Sequence, residues 1–262
     1  MYMEILLLLL GGLLGGTLGG LLGIGGGIVL MPILRFMVGL SPTLAAGVCS
    51  LAVLFTTLGG SYRHYRMGNV DLRSIWPLIV SGACATVVFS LVFPHFSGHE
   101  QWLDLAVGIV FVLISLRMVV EGVLGFGGDK EEEDKGPGVS GALAYKISIG
   151  SVAGALSGLL GIGSGVILVP AFTYVLYASM KVAIASSLTC FAVNAFISSA
   201  FKFGQGFIDP EVALPLCLGT LLGANLGAIL NSRFSHRSLK FFFGLIFSYV
   251  SVKFILSFLG AM

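Results

Sequence analysis

The sequence predicts an all-α polytopic membrane protein. It reads as two inverted-topology repeats with about 8–10 membrane segments, two of them short and either glycine-broken or re-entrant. Three observations lead there. The chain has 262 residues, of which 56% are hydrophobic and only 10% charged, with a mean hydropathy of +1.03. A soluble domain carries about 25% charged residues to solvate its surface. The apolar residues fall into membrane-length runs, and the first half of the chain returns in the second. The same composition argues against a soluble enzyme, a disordered chain and a nucleic-acid binder, since no basic stripe is present.

The apolar runs lie near 4–22, 26–40, 43–62, 73–94, 102–124, 142–160, 164–179, 182–201, 210–231 and 238–260. The first begins at Glu4, an acid where a signal peptide carries positive charge, so it is expected to remain as the first helix. The runs at 26–40 and 164–179 each follow a glycine cluster and carry a proline, Pro32 or Pro170. Fifteen helical residues reach about 22 Å, less than the ~30 Å hydrocarbon core. One long polar loop, GGDKEEEDKGPG, divides the chain. The expected organisation is a first transmembrane repeat at 1–125, a cytoplasmic linker at 126–140 and a second, inverted repeat at 141–262.

Loop charge sets the orientation. One side collects Arg63, Arg66, Arg73, Arg117, Lys130, Lys135, Lys146, Lys181, Arg233, Arg237 and Lys240, and the other only Arg35, Lys202 and Lys253. The basic side is cytoplasmic, which puts both termini outside. The repeat is plain in GLLGIGGGIVLMP at 20–32 and GLLGIGSGVILVP at 158–170, an offset of 138. Further on, Ala46–Leu51 resembles Ala183–Leu188 with a one-residue slip, and Gly68, Asp71 and Pro77 return as Gly206, Asp209 and Pro215. An odd number of crossings in each half inserts the second half upside down, the arrangement of many secondary transporters.

The candidate functional residues follow from the repeat. Glycines at every fourth position (Gly12, Gly16 and Gly20; Gly150, Gly154 and Gly158) form ridges that let helices approach closely. The clusters Gly25, Gly26, Gly27 and Gly163, Ser164, Gly165 permit unwound backbone whose N–H groups, at the start of a helix, suit an anion. A tight turn for helix crossing is the other reading. Cys49, Ser50, Ser186, Ser187 and Asn194 place small polar groups inside third-position helices, where they line a cavity or bond the neighbouring turn. Arg35 either meets an anion or snorkels to the interface. His64 is a candidate for proton coupling or an interfacial anchor. Cys49, Cys84, Cys190 and Cys217 have neither CxxC spacing nor a histidine cluster, so no metal site, disulfide framework or cofactor is expected. No Ser/His, Asp/Asp or zinc-ligand set supports an enzyme.

These residues resemble the sulfite exporter TauE/SafE family of bacterial membrane permeases. The likeness rests on the duplicated glycine-to-proline motif (Gly23–Pro32 and Gly161–Pro170), the segments Ala46–Leu51 and Ala183–Leu188, and the His64–Asp71 stretch. Cys49 departs from the family's usual Thr, and Ser164 stands opposite Gly26. The resemblance implies a multi-pass protein of the bacterial inner membrane that moves sulfite, sulfoacetate or another small organosulfur anion. A passive anion channel and an uptake permease for a related organic anion are the alternatives. The expected partners are the small anion and the lipid bilayer, with coupling to protons or another ion on energetic grounds. A homo-oligomer is left open, and no nucleic acid is expected.

Overall fold

A computed structural model describes residues 2–124, 139–230 and 236–260. The polar linker expected over 126–140 falls largely outside them. The described residues form ten helices: α1 (Tyr2–Leu22), α2 (Gly27–Pro32), α3 (Pro42–Arg66), α4 (Leu72–Val92), α5 (Glu100–Leu124), α6 (Leu143–Leu160), α7 (Gly165–Pro170), α8 (Met180–Gly204), α9 (Pro210–Leu230) and α10 (His236–Phe258). One helix falls in each apolar run of the sequence. Six of them, α1, α3, α4, α5, α6 and α8, are long and apolar enough to cross a bilayer.

Neither short helix is long enough to cross a bilayer by itself. After Pro32 the chain widens into a π-helical turn at Ile33–Met37, and after Pro170 into another at Ala171–Val175. Proline lacks the N–H that would continue the regular ladder. The wide turns close through Val38 N–H to the Ile33 carbonyl (3.0 Å) and Leu176 N–H to the Ala171 carbonyl (3.0 Å). The combined helical stretch Gly27–Met37 reaches about 16 Å, half of what a crossing needs. It folds back along α1: Gly19 abuts Gly26, Gly15 abuts Leu30, and Gly11 abuts Ile33.

The helix bounds of the two halves coincide at an offset of 138 from α2 and α7 through α4 and α9. The one-residue slip read from the sequence in Ala46–Leu51 is therefore absent from the structure. Cys49 takes the position of Ser187, and His64 that of Lys202. The local chemistry repeats as well. Asp71 accepts from Arg73 N–H (3.0 Å) at the start of α4, and Asp209 accepts from Glu211 N–H (3.0 Å) at the start of α9.

Packing follows the same exchange. α1 packs on α9 as α6 packs on α4; α3 packs on α9 as α8 packs on α4; α3 pairs with α8, and α5 with α10. The glycine ridges make the first of these contacts. A β-carbon on Gly12, Gly16 or Gly20 would run into the α9 backbone at Leu216, Thr220 or Ala224. Gly150, Gly154 and Gly158 press likewise on Leu78, Gly82 and Thr86 of α4. Side chains that small bring two helix backbones into contact, where dispersion and interhelical bonds hold them without a hydrophobic driving force. Thr86 Oγ1 uses this proximity to donate across to the Gly154 carbonyl (3.1 Å).

α3 and α8 are buried along most of their length, whereas the other spans are buried along less than half. They form the inner pair. The outer helices present Leu6, Leu14, Val88, Leu113, Leu116 and Leu218 outward, an apolar surface that a bilayer solvates and water does not.

Candidate functional site

The two glycine loops, 23–27 and 161–165, meet at the middle of the inner pair. Gly25 abuts Val53 and the Phe191 ring, one residue from the centre of each 25-residue helix. Gly163 abuts the same ring from the other loop. The loops also touch each other directly. A β-carbon on Gly27 would fall on the Ile162 carbonyl, and one on Gly165 would lie 2.7 Å from Ile24 Cα and 2.8 Å from the Gly23 oxygen. Such approaches exclude any side chain. The bends themselves use left-handed backbone at Gly25 (φ 77°), Gly26 (φ 75°) and Gly163 (φ 110°), conformations that a β-carbon disfavours.

Each loop opens a helix. The first bonds inside α2 run from Val29 N–H and Leu30 N–H to the Gly26 carbonyl (2.9 and 3.1 Å). In α7 they run from Ile167 N–H and Leu168 N–H to the Ser164 carbonyl (3.0 and 2.9 Å). The N–H groups of Gly27, Ile28, Gly165 and Val166 lie ahead of these bonds, at the electropositive helix ends.

The polar residues picked from the sequence divide into three groups. Ser187 Oγ donates to the Gly23 carbonyl (3.3 Å), and Cys49 Sγ lies 3.6 Å from the Gly27 carbonyl, so both reach the loops. Ser164 and Ser186 are fully buried, and among the described residues neither hydroxyl has a hydrogen-bond partner; Asn194 Oδ1 is also buried and unpaired among them, with its side chain against Gly82 of α4. Ser50 turns to its own helix, donating to the Gly47 carbonyl (2.7 Å).

Arg35 and His64 lie away from the loops. Arg35 Nε donates to Asp104 Oδ1 (3.0 Å), its Nη2 pairs with Asp104 Oδ2, and Nη1 donates to the Leu40 carbonyl (2.9 Å). Ser257 Oγ donates to Asp104 as well (2.9 Å). This network ties the end of α2 to the start of α5 and the end of α10. His64 is buried near the end of α3, its Nδ1 3.5 Å from Asn69 Nδ2.

Sequence reasoning missed two features. Asp104 is the partner of Arg35 across 69 residues, and the available sign was an acid near the start of an apolar helix. Lys202 is fully buried. Its Nζ donates to Ser198 Oγ (3.0 Å), lies 3.5 Å from the Ser157 carbonyl, and sits 4.6 Å from the centre of the Phe93 ring. The 138-residue offset from His64 was the signal that could have found it.

A family model described as sulfite exporter TauE/SafE matches residues 8–254. The chain belongs to that family. Among its relatives is the "Probable membrane transporter protein YunE" of Bacillus subtilis, 26% identical over 90% of this chain and 92% of the relative. YjnA of the same organism, given the same description, is 29% identical over 89% of this chain and 93% of its own length. MJ0441 of Methanocaldococcus jannaschii is 25% identical over 89% of each chain. No solved structure matches. Family and relatives together make this TauE/SafE chain a multi-pass membrane transporter, and they point away from an enzyme.

Proposed function

We propose that the chain is a secondary transporter that moves a small sulfur-containing anion, such as sulfite, sulfoacetate or another organosulfonate, out of the bacterial cell. The observation that carries this reading is the meeting of the two glycine loops at mid-depth between α3 and α8. Their N–H groups supply donors without a buried cation, and the unpaired hydroxyls of Ser164 and Ser186 supply more. Ser187 and Cys49 flank them, and Asn194 lies one turn beyond Phe191 on α8. The loops are too close to admit an oxyanion between Gly27 and Ile162, so binding requires them to part.

An inverted relation of the two halves explains how they would part. The end of α2 bonds to the start of α5 through Arg35 and Asp104, whereas Tyr174, at the end of α7, lies 3.5 Å from Glu121 near the end of α5. Equivalent elements thus finish at opposite ends of one helix. Rocking one half against the other would expose the loops first to one side and then to the other. Coupling to protons or another ion would drive accumulation.

The test is uptake into proteoliposomes under an imposed proton gradient. Sulfite or sulfoacetate should accumulate above its external concentration. Replacing Gly27 or Gly165 with Val should abolish uptake while the protein still inserts. Equilibration without accumulation would make the protein a channel instead. Undiminished uptake by both valine variants would remove the glycine loops from the pathway.

A further inference from the structure

A lysine two residues from the end of a membrane helix can extend its ammonium to the interface at little cost. Lys202 does the opposite. Its Nζ lies against Ser198 Oγ, one turn back toward the helix middle, among Ser157 of α6 and Phe93 beyond the end of α4. Among the described residues no carboxylate lies within ion-pair distance of it; the two described ion pairs are Arg35–Asp104 and Arg117–Glu121. One neutral hydroxyl, a distant carbonyl and a ring face leave a fully buried ammonium without an opposing charge. Such a group is expensive away from water, and within a membrane protein it marks a site.

The surroundings hold further unused polarity. Ser90 Oγ and Gln205 Oε1 are buried with no partner among the described residues. Ser90 precedes Phe93 by one turn, Gln205 follows Lys202 by one turn, and Gln205 Nε2 donates to the Ser90 carbonyl (2.9 Å). This cluster adjoins the glycine loops. Gly47 of α3 presses on the Phe207 carbonyl, and Phe207 N–H donates to the Lys202 carbonyl (2.9 Å). Two residues beyond Gly47, Cys49 Sγ lies 3.6 Å from the Gly27 carbonyl.

We infer that Lys202, with Ser198 and Ser90, forms an anion subsite between the α8 end of the bundle and the glycine loops. The ammonium pairs with the negative charge of a small oxyanion and the unpaired Ser90 hydroxyl donates to one of its remaining oxygens, while Ser198, whose own hydroxyl donates to the Ser157 carbonyl (2.9 Å), holds the ammonium in place. Charge-assisted bonds of this kind are about twice as strong as neutral ones. The groups facing the lysine from the neighbouring helices are the Ser157 carbonyl and the Phe93 ring, so among the described residues no acid competes with the ligand. This inference rests on the anion-transport reading above. It adds a basic side chain that the glycine loops do not provide.

Thermal unfolding of the purified protein, titrated with sulfite, thiosulfate, sulfoacetate and sulfate and with chloride as control, tests it. A ligand that binds the folded state raises Tm with concentration, and the titration yields a half-saturating concentration. For the anion that shifts the wild type most, Lys202→Met should raise the half-saturating concentration about tenfold or more. The unliganded Tm of this variant should equal or exceed that of the wild type, because an uncompensated charge has been replaced by an apolar chain of similar length. Ser198→Ala keeps the lysine and should weaken binding severalfold, which covers the case in which Lys202→Met does not fold. Unchanged half-saturation in either variant overturns the subsite while leaving anion transport intact. A lowered unliganded Tm with unchanged binding assigns the lysine to structure alone. No wild-type response to any of the four anions, with no uptake in proteoliposomes, overturns both readings.

Discussion

Replacing Gly165 with Ala isolates the contact between the two loops. Gly165 lies at the first position of α7 with ordinary helical backbone, so alanine meets no φ penalty there. The added β-carbon would sit 2.7 Å from Ile24 Cα, 2.8 Å from the Gly23 oxygen and 2.9 Å from the Ile24 carbonyl carbon. Carbon pairs rest at about 3.5–4.0 Å, so one loop must retreat by about 1 Å. The obstacle is backbone, which cannot swing aside as a flexible side chain does. Overpacking of this kind costs about 1–3 kcal/mol. At about 2–4 °C per kcal/mol for a chain of this size, Tm should fall by about 2–12 °C. Gly204→Ala is the control: it closes α8, and a β-carbon there meets nothing within 4 Å, so its Tm should hold or rise slightly. Thermal unfolding in detergent reads both variants. A Gly165→Ala protein as stable as Gly204→Ala would show that the loops do not touch, and the argument for a shared central site would fail.

Two other predictions concern the ends of the helices. Asp104→Asn leaves Arg35 without its counter-charge, and since Asp104 is nearly inaccessible the loss should be about 3–5 kcal/mol; Arg35→Met combined with Asp104→Leu should recover much of it, and an Asp104→Asn protein with wild-type Tm would refute the pairing. The Ser74 hydroxyl, more than the Arg73 N–H, holds the Asp71 carboxyl below its ordinary range. Its stabilisation is therefore full above the ordinary aspartate range and disappears as pH falls through the lowered value. Asp71→Ala should reduce Tm at neutral pH, and the deficit should close on acidification; a deficit independent of pH would refute the charge-based cap.

The ten helices were legible because glycine, proline and sparse charge punctuate long apolar runs, and membrane helices need little else. The ridges of Gly12, Gly16 and Gly20 gave away their packing face through spacing alone, although not that α9 would be the partner. The polar residues were harder. The likeness of Ala46–Leu51 to Ala183–Leu188 suggested a slip, because small residues align equally well in either register. Helix bounds leave no slip, and they pair Cys49 with Ser187 rather than Ser50 with Ser187. Arg35 could not be read as engaged, since Asp104 lies on another helix. Lys202 looked like an interfacial lysine because sequence position says nothing about which way a long side chain turns. The glycine clusters were found by repetition, but their direct contact depends on how two hairpins dock.

Phe191 has a consequence for the energy of the whole cycle. Its ring packs on Gly25 and on Gly163 alike, yet the residue at its equivalent position in the first half is the smaller Val53. Two identical halves that exchanged roles during transport would leave the outward-open and inward-open forms with equal energy. One phenyl ring shared by both loops, with no counterpart on the other side, removes that degeneracy. Lys202 opposite His64 removes it again at the helix ends. Under the alternating mechanism proposed here, the backbone supplies two interchangeable conformations, and these few unmatched side chains decide which one the protein rests in.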